Sequence, residues 1–321
     1  KLRNQSVIFV FSDPAGAKAL LCISLALSRI LKKVLLISDK NYQFYNDFDT
    51  KVEILTKSSK DIIDKFNPDY IITGTSIPVG IEMDFIEEAD INNNIQTISF
   101  IDHWTNFSKR FFNKEKYTFP HLIWVIDDFA KKTAISEGIN EDRILVFENP
   151  YYNFLRNFKP KISKKKLLDL MNIENSKFLL YAPEPISSYN SLKEKYLKDE
   201  FEWLLFILNS LRSYLVKDKT KIVFKTHPNQ DKKLLKSFTG SIKTTDKSLI
   251  KIEDSIPINE LIYCSEMVLG FSSNSLIESN IMKKRVARLL LNKKIIDPIS
   301  HLNVGKIITS KKGLVDFYLH K

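Results

Sequence analysis

Two short stretches of the 321-residue chain combine residue types that bind an anion. The first, KIVFKTHP, runs from Lys221 to Pro228, and the second, MVLGFSSNSLIES, runs from Met267 to Ser279. Each predicts a buried strand followed by polar residues at the start of a helix, because β-branched and aromatic residues favour strands while Ser and Asn favour N-caps. A helix N-terminus presents N–H groups and partial positive charge, so both stretches predict a phosphate site.

A His-Pro pair after a strand, followed later by a Ser-Ser pair that opens a helix, resembles bacterial GT-B glycosyltransferases. The similarity extends to enzymes that use CMP-activated acidic sugars, such as the sialyl-, polysialyl- and Kdo-transferases of capsule and lipopolysaccharide synthesis. The glycerophosphotransferases of teichoic acid synthesis carry a similar pair. The resemblance implies an α/β protein of the GT-B fold, with two Rossmann-like domains facing a central cleft.

The resemblance also implies a donor site in the C-terminal domain. His227 would hydrogen-bond the donor phosphate or stabilise the leaving nucleotide. Glu278 would bind the nucleotide ribose, although a solvent-facing helix acid is an equal interpretation. Glu184 lies between two prolines, which either position it against the donor base or sugar or only shape the turn. The full set of expected donor-binding residues is Lys225, His227, Pro228, Ser272, Ser273, Asn274, Ser275, Glu278 and Glu184.

Transfer with inversion also needs a base that takes the proton of the acceptor hydroxyl. In GT-B enzymes this base comes from the N-terminal domain, where two candidates follow predicted strands. Asp13 follows the first strand, and His103 sits beside Asp102 after a later one. Asp102 and Trp104 are expected acceptor contacts, with Trp104 stacking on a sugar face, although core packing is the commoner role of a tryptophan.

The remaining sequence predicts two α/β halves. Alternating apolar runs and amphipathic segments begin with a strand over Val7–Phe11, a small-residue turn from Ser12 to Ala17 and a helix over Lys18–Leu31. No G-x-G-x-x-G follows the first strand, so the dinucleotide fingerprint is absent. The Asn149-Pro150 pair after the last strand of the first half predicts a boundary that gives an acceptor domain over 1–155 and a donor domain over 156–321.

Composition and charge describe the setting. The chain carries 49 Lys and Arg against 38 Asp and Glu, a net charge of +11, with 44% hydrophobic residues. The lysines are dispersed, so we expect an acidic substrate and peripheral attraction to anionic lipid rather than nucleic acid. Lys-rich usage also fits an AT-rich genome. No apolar run is long enough to span a membrane, and Cys22 and Cys264 resemble buried thiols, so a cytoplasmic location at the inner membrane face is expected.

Neither a metal nor a cofactor is expected. The stretch Asp47-Phe48-Asp49 spells D-x-D, but it lies in a polar loop in a different context from the metal-binding motif of GT-A enzymes. No cluster of His, Cys and carboxylates has metal-ligand spacing. Protein groups are therefore expected to replace a cation at the donor phosphate.

These observations predict a metal-independent glycosyltransferase that moves an acidic sugar of the sialic, pseudaminic, legionaminic or Kdo type. The donor would be CMP-activated, and the acceptor a surface glycan, a lipid-linked glycan or a protein-linked glycan. One alternative is a UDP-sugar 2-epimerase or hydrolase, or a UDP- or CDP-dependent transferase, of the same fold. A second alternative is a basic, non-enzymatic module that binds polyanions.

Overall fold

The computed structural model describes residues 2–48, 50–92, 94–196, 198–290, 297 and 299–320. The chain divides into two compact units, Lys1–Phe154 and Leu155–Lys321. Each unit is built on one parallel sheet of the doubly wound type, with helices between successive strands.

The first unit contains a seven-stranded parallel sheet and a small antiparallel ribbon. Its strands are β1 (Ser6–Val10), β2 (Lys33–Ser38), β3 (Glu53–Ile54), β4 (Tyr70–Thr73), β5 (Gln96–Ile101), β6 (Phe112–Asn113), β7 (Lys116–Tyr117), β8 (Leu122–Val125) and β9 (Ile144–Val146). Its helices are α1 (Pro14–Leu27), α2 (Ser59–Phe66), α3 (Ile81–Ile91) and α4 (Asp128–Ser136), and α5 (Tyr151–Arg156) leads into the second unit. The order β3-β2-β1-β4-β5-β8-β9 reverses direction between β1 and β4, which is where such sheets bind ligands.

The second unit contains a six-stranded parallel sheet. Its strands are β10 (Lys177–Tyr181), β11 (Thr220–Lys225), β12 (Ile250–Glu253), β13 (Met267–Gly270), β14 (Val286–Leu289) and β15 (Lys306–Ile308). Its helices are α6 (Lys164–Leu170), α7 (Asn190–Tyr196), α8 (Glu200–Lys217), α9 (Lys232–Ser241), α10 (Thr244–Lys247), α11 (Ile258–Cys264), α12 (Asn274–Ile281) and α13 (Lys311–Leu319). The order β12-β11-β10-β13-β14-β15 reverses direction between β10 and β13.

Burial follows from this layered arrangement. Every residue of β1 is buried, because helices on both faces of a parallel sheet leave a central strand no solvent-exposed side. On α8, Leu204, Leu208, Leu211 and Leu215 recur at helical spacing and are buried against the sheet of the second unit. Trp203 joins the same core.

The start of α1 differs from the sequence prediction. The residues from Pro14 to Ala17, predicted as part of a turn, form the first turn of the helix. Asp13 is the N-cap residue, and its carboxylate accepts a hydrogen bond from the backbone N–H of Ala15. Proline at the first helical position costs nothing because its missing N–H would have no partner within the helix. The small residues that suggested a turn allow the helix to start directly after β1.

Candidate donor and acid–base sites

The second unit places the His-Pro and Ser-Ser motifs on either side of one loop. Strand β10 lies between β11 and β13, and Tyr181 at its end pairs with Phe224 of β11 and with Leu269 of β13. The residues that follow these three strands therefore leave the same edge of the sheet at the same level. The loop from Ala182 to Ser188, here called the central loop, follows β10 and therefore lies between the two motifs. The spacing of the motifs in the sequence does not reveal this arrangement.

Gly270 allows this edge to close. A Cβ atom at Gly270 would lie 2.9 Å from the carbonyl oxygen of Ala182 and 3.2 Å from a methyl group of Leu276. A distance under 3 Å to a backbone oxygen is not tolerated without movement of the chain. Glycine is thus required for the close approach of β13 to the end of β10, and that approach positions the Ser-Ser turn.

His227 is half-buried immediately after β11. Its Nδ1 atom accepts a hydrogen bond from the backbone N–H of Asn229 at 3.1 Å. Burial lowers the pKa of the imidazole to about 4, so the ring is neutral at physiological pH. Because Nδ1 accepts, the proton of the neutral ring resides on Nε2, and His227 offers an N–H donor.

Lys225 and Pro228, the two other predicted donor-binding residues of the His-Pro motif, differ in burial and charge. Burial lowers the pKa of the half-buried Lys225, which pairs in register with Glu253 of β12. Pro228 is exposed. The charge of Lys225 is therefore opposed by a neighbouring carboxylate, and a role for these two residues in donor binding remains a prediction.

Ser272 is held by a carboxylate. Its backbone N–H and its hydroxyl both donate to one oxygen of Glu184, at 2.8 and 2.9 Å. The hydroxyl of Tyr196 lies 2.7 Å from the Ser272 hydroxyl. In this arrangement the two donors of Ser272 that were expected to hold a phosphate are directed at one oxygen of Glu184, and the predicted roles of Ser272 and Glu184 in donor binding stay predictions.

The remaining serines lie at the N-terminus of α12. Ser273 is the N-cap residue, and its hydroxyl donates to the carbonyl oxygen of Ala182 at 3.2 Å and contacts the hydroxyl of Ser275 at 3.2 Å. Within the described part of the chain, the Ser273 side chain accepts no capping hydrogen bond from the N–H groups of the first turn. Asn274 and Ser275 form its first turn, whose N–H groups face outward along the helix axis as those of any helix start do.

Glu278 lies in the second turn of α12 and is only 6% exposed. Its alternative interpretation as a solvent-facing helix acid is therefore wrong. A carboxylate this deeply buried contacts protein groups, because an isolated buried charge is costly. Its predicted contact with a ribose stays a prediction.

A buried glutamate that the sequence did not single out links the central loop to the His-Pro turn. Glu200 has no exposed surface, and its carboxylate accepts from the backbone N–H of Ser187 at 2.7 Å and from the Ser187 hydroxyl at 2.5 Å. The same carboxylate accepts from the side-chain amide of Gln230 at 2.6 Å, and the Gln230 N–H donates to the His227 carbonyl at 2.9 Å. In sequence Glu200 resembles an ordinary first-turn acid beside the N-cap Asp199, so only the fold reveals this link.

The first unit presents ionisable groups at the equivalent edge of its sheet. Asp13 follows β1 and Asp102 follows β5. Burial, reinforced by the negative charge of Asp102, raises the pKa of the Asp13 carboxyl to about 6. Burial also raises the pKa of Asp102, an effect that the nearby guanidinium of Arg110 opposes. These carboxyl groups are coupled electrostatically, and Asp13 titrates close to neutral pH.

Arg110 supplies the positive charge of this cluster. It is buried, and its Nη1 and Nη2 groups donate to the Thr75 hydroxyl at 3.1 Å and the Thr105 carbonyl at 3.4 Å. Its charge lowers the pKa of Asp13, against the larger effect of burial. Arg110 follows Asp102 closely in the sequence, but only the fold shows that it is buried.

Glu82 links the loops that follow β1 and β4. Its carboxylate accepts from the Ser12 backbone N–H at 2.9 Å and from the Ser76 hydroxyl at 2.8 Å, and burial raises its pKa. It therefore joins the loops that follow two neighbouring strands and holds Asp13, the next residue after Ser12, in place. Glu82 shares the buried face of α3 with Phe85 and Ile86, so an acid at helical spacing from apolar residues was the sequence signal for this role.

The two other predicted residues of the first unit occupy different environments. His103 is half-buried, with its Nδ1 atom 3.0 Å from the Thr105 hydroxyl. Trp104 is only 2% exposed, and its indole N–H donates to the Asp127 carboxylate at 2.7 Å. The expected stacking of Trp104 on a sugar is thus corrected, because the ring packs in the core and secures the N-cap of α4.

Two further predictions concern metals and membranes. Within the described ranges, no group of three or more His, Cys, Asp and Glu side chains is arranged to hold a metal ion. Of the D-x-D stretch, Asp49 lies outside the described residues. None of the helices described is both long enough and apolar enough to cross a bilayer.

Comparisons with known proteins place these sites in a family context. Residues 150–287 match the alpha-2,8-polysialyltransferase family, and this range contains both the His-Pro and the Ser-Ser motif. No curated protein matches the chain by sequence.

Solved structures resemble the whole chain. The UDP-GlcNAc 2-epimerase of Methanocaldococcus jannaschii is 15% identical, with a TM-score of 0.68, and the match covers 98% of this chain and 93% of that one. The Neisseria meningitidis epimerase, solved with UDP-GlcNAc, is 14% identical, with a TM-score of 0.65 and coverages of 98% and 90%. The Rickettsia bellii epimerase is 13% identical, with a TM-score of 0.64 and coverages of 97% and 86%. At these identities the likeness establishes the GT-B fold alone.

The fold and the family match agree with the resemblance first seen in the two motifs. The polysialyltransferase match spans less than half of the chain, whereas the fold spans nearly all of it. Together they indicate a carbohydrate-active, transferase-like enzyme that has the GT-B fold.

Proposed function

We propose that this protein transfers an acidic sugar from a CMP-activated donor to a hydroxyl group of a glycan acceptor, without a metal ion. The observation that carries the proposal is the polysialyltransferase match, because its range includes His227 and the Ser272–Ser275 turn, and the two motifs flank one strand at the same sheet edge. A CMP-sugar carries a single phosphate. One imidazole donor and one helix N-terminus suffice for such a group.

In the proposed donor complex, the Nε2–H of His227 donates a hydrogen bond to the donor phosphate. The N–H groups of the first turn of α12 receive the same phosphate and stabilise its charge. When the bond between the anomeric carbon and the phosphate oxygen breaks, the electron pair stays on CMP. The anion also favours protonation of His227, whose pKa rises from its low value in the free protein. Both effects stabilise the leaving group.

Asp13 is the proposed general base. It accepts the proton of the acceptor hydroxyl as the hydroxyl oxygen attacks the anomeric carbon. A pKa of about 6 leaves Asp13 mostly ionised at pH 7 yet more basic than an ordinary aspartate. His103 is the rival base; its Nδ1 atom contacts the Thr105 hydroxyl, and its electrostatic interaction with Asp13 lowers the pKa of that carboxyl.

A second candidate is a UDP-sugar 2-epimerase or hydrolase. It is favoured by the solved epimerases, which match the chain over nearly its full length. Such an enzyme would consume a UDP-sugar without any acceptor. The third possibility, a polyanion-binding module, draws support from the net charge of +11.

Nucleotide-dependent thermal stabilisation tests the proposal. Wild type, His227→Ala and the control His320→Ala, which removes an exposed histidine of the same unit, would be melted with CMP, CDP, UDP and GDP. A ligand at a hundred times its Kd stabilises the folded state by about 2.7 kcal/mol. We expect CMP to stabilise wild type and His320→Ala, with the effect largely lost in His227→Ala.

Each other outcome points to a different function. Stabilisation by UDP alone, followed by UDP release from a UDP-sugar without acceptor, identifies the epimerase or hydrolase. No stabilisation by any nucleotide, with salt-sensitive binding to polyanions that survives His227→Ala, identifies the binding module. Transfer from CMP-linked sialic acid or Kdo to a glycan then tests the reaction itself.

A further inference from the structure

We infer that Glu184 sets the preference of the donor site for a nucleoside monophosphate over a nucleoside diphosphate. The inference rests on the proposed function, since it concerns the phosphate site assigned there to His227 and α12. It goes further because it identifies one side chain that separates the CMP-dependent transferase from a UDP-dependent enzyme on the same fold. That fold alone does not decide the matter, as the Neisseria meningitidis epimerase was solved with UDP-GlcNAc.

The Glu184 carboxylate is fixed in position at the Ser-Ser turn. One of its oxygens accepts from both the N–H and the hydroxyl of Ser272. The Tyr196 hydroxyl contacts the same serine, and the Tyr196 ring is buried with its centroid 4.8 Å from that of Phe271. Glu184 lies between Pro183 and Pro185, which are both buried and restrict the backbone on either side.

The position of Glu184 matters because its carboxylate accepts hydrogen bonds from donors that a phosphate would otherwise use. A diphosphate beside the start of α12 needs hydrogen-bond donors for its second phosphate as well as for its first. Ser272, the residue before the N-cap Ser273, offers an N–H and a hydroxyl, and both are directed at Glu184, while the Ser273 hydroxyl donates to the Ala182 carbonyl oxygen. A carboxylate accepts hydrogen bonds but donates none when it is ionised, so it cannot bind a phosphate directly.

Charge acts in the same direction. An ionised Glu184 places a negative charge beside the helix N-terminus, in a half-buried environment where screening by water is incomplete. A single phosphate at the start of α12 would be compensated by the N–H groups of that helix and by His227. The additional phosphate of a diphosphate adds negative charge next to Glu184 and is repelled by it. We expect this repulsion to weaken diphosphate binding by about tenfold, a modest value for two like charges near a protein surface.

Calorimetric titration with matched nucleotide pairs tests the inference. Dissociation constants for CMP and CDP, and for UMP and UDP, would be measured on wild type, Glu184→Gln and Ser272→Ala. Each pair holds the base constant and varies only the phosphate number. Glutamine keeps an oxygen that accepts from Ser272 and removes the charge, whereas Ser272→Ala removes a hydroxyl and leaves the charge.

We expect wild type to bind CMP about tenfold more tightly than CDP. Glu184→Gln should bring this ratio close to one, chiefly by tightening CDP binding, while Ser272→Ala should keep the wild-type preference. A purely structural role for Glu184 would weaken both nucleotides of a pair equally, so a change in the ratio separates specificity from folding.

The outcomes also separate this inference from the proposed function. Wild type that binds CDP as tightly as CMP overturns the role of Glu184 without any variant, even where Glu184→Gln fails to fold. A ratio unchanged in a folded Glu184→Gln overturns it too and leaves the CMP site intact. If wild type binds none of the four nucleotides, the donor site itself is refuted.

Discussion

The two parallel sheets share one strand order, apart from the additional β9 in the first unit, but they carry different side chains at the edge where the order reverses. In each sheet the order reverses beside the first strand, between β1 and β4 in one unit and between β10 and β13 in the other. At the first edge stand carboxyl groups and a guanidinium, with Asp13, Asp102, Glu82 and Arg110 all buried or half-buried. The second edge carries serine hydroxyls, a helix N-terminus and a neutral imidazole. Glu184 and Glu200 accept hydrogen bonds from the loops that present these groups.

The difference shows how function is distributed on a repeated architecture. Backbone geometry delivers loops to one edge of each sheet, and side chains alone decide what that edge does. Coupled carboxyl groups with raised pKa values suit proton transfer near neutral pH. N–H and O–H donors suit a phosphate. Each edge therefore supports a separate prediction.

The largest expected effect follows from Asp13→Asn in the first unit. Asparagine keeps an oxygen for the Ala15 N–H and is as good an N-cap as aspartate, so α1 should begin as before. It cannot accept a proton from the acceptor hydroxyl. We expect kcat to fall by about 10²- to 10⁴-fold, measured as steady-state sugar transfer, with the Kd for CMP unchanged.

His103→Gln is the matched control for that variant. It removes the rival base at the same sheet edge, and we expect a much smaller loss of kcat than for Asp13→Asn. The reverse ranking would transfer the role of base to His103. Equal losses would contradict a single-base mechanism.

A smaller effect, on stability, is expected from Gly270→Ala in the second unit. The new methyl group would lie 2.9 Å from the Ala182 carbonyl oxygen, so β13 or the central loop must shift. Overpacking of this kind destabilises a protein by about 1–3 kcal/mol. Because the shift displaces the Ser-Ser turn, stabilisation by CMP should weaken as well, and urea unfolding with and without CMP measures both effects.

Gly240→Ala provides the contrasting substitution. Gly240 lies in α9 with no atom within 4 Å of the position its Cβ would take. Alanine in a helix is more favourable than glycine by up to about 1 kcal/mol, so this variant should be slightly more stable than wild type. Destabilisation of the two variants to the same extent would show that the close approach at Gly270 is not the cause.

The fold was largely predictable from the sequence because its signals are local. The strand predicted over Val7–Phe11 is β1, Ser6–Val10, and the apolar start of the second motif is β13, Met267–Gly270. The polysialyltransferase match covers the two motifs from which the family resemblance was drawn. Between these motifs, α9, α10, β12 and α11 have no counterpart among the predicted elements, and α10 and β12 span only four residues each, too few to show a helical or strand period.

The contacts of the sites were less predictable, because they join residues far apart in sequence. Glu184 meets Ser272 across 88 residues, and Glu82 meets Ser12 across 70. A sequence shows that these residues are acids or serines but not which of them share one sheet edge. Trp104 illustrates the same limit, since burial and its bond to Asp127 replace the predicted sugar contact.

The smallest expected effect concerns pH. If Asp13 is the base, kcat/KM should fall as pH drops below about 6, because protonated Asp13 cannot accept a proton. The charge of Arg110 holds the pKa of Asp13 below the value that burial alone would give. Arg110→Gln should therefore raise that pKa and move the acidic limb of the pH profile to higher pH.

Arg110→Lys separates charge from packing in this test. Lysine keeps the positive charge but loses the two-pronged contact with Thr75 and Thr105, so its acidic limb should stay near that of wild type even if kcat falls. A limb shifted by about one pH unit corresponds to a change of about 1.4 kcal/mol in the balance between the two protonation states of Asp13. If Arg110→Lys and Arg110→Gln move the limb equally, packing rather than charge tunes the first edge. If neither moves it, the limb belongs to a group other than Asp13.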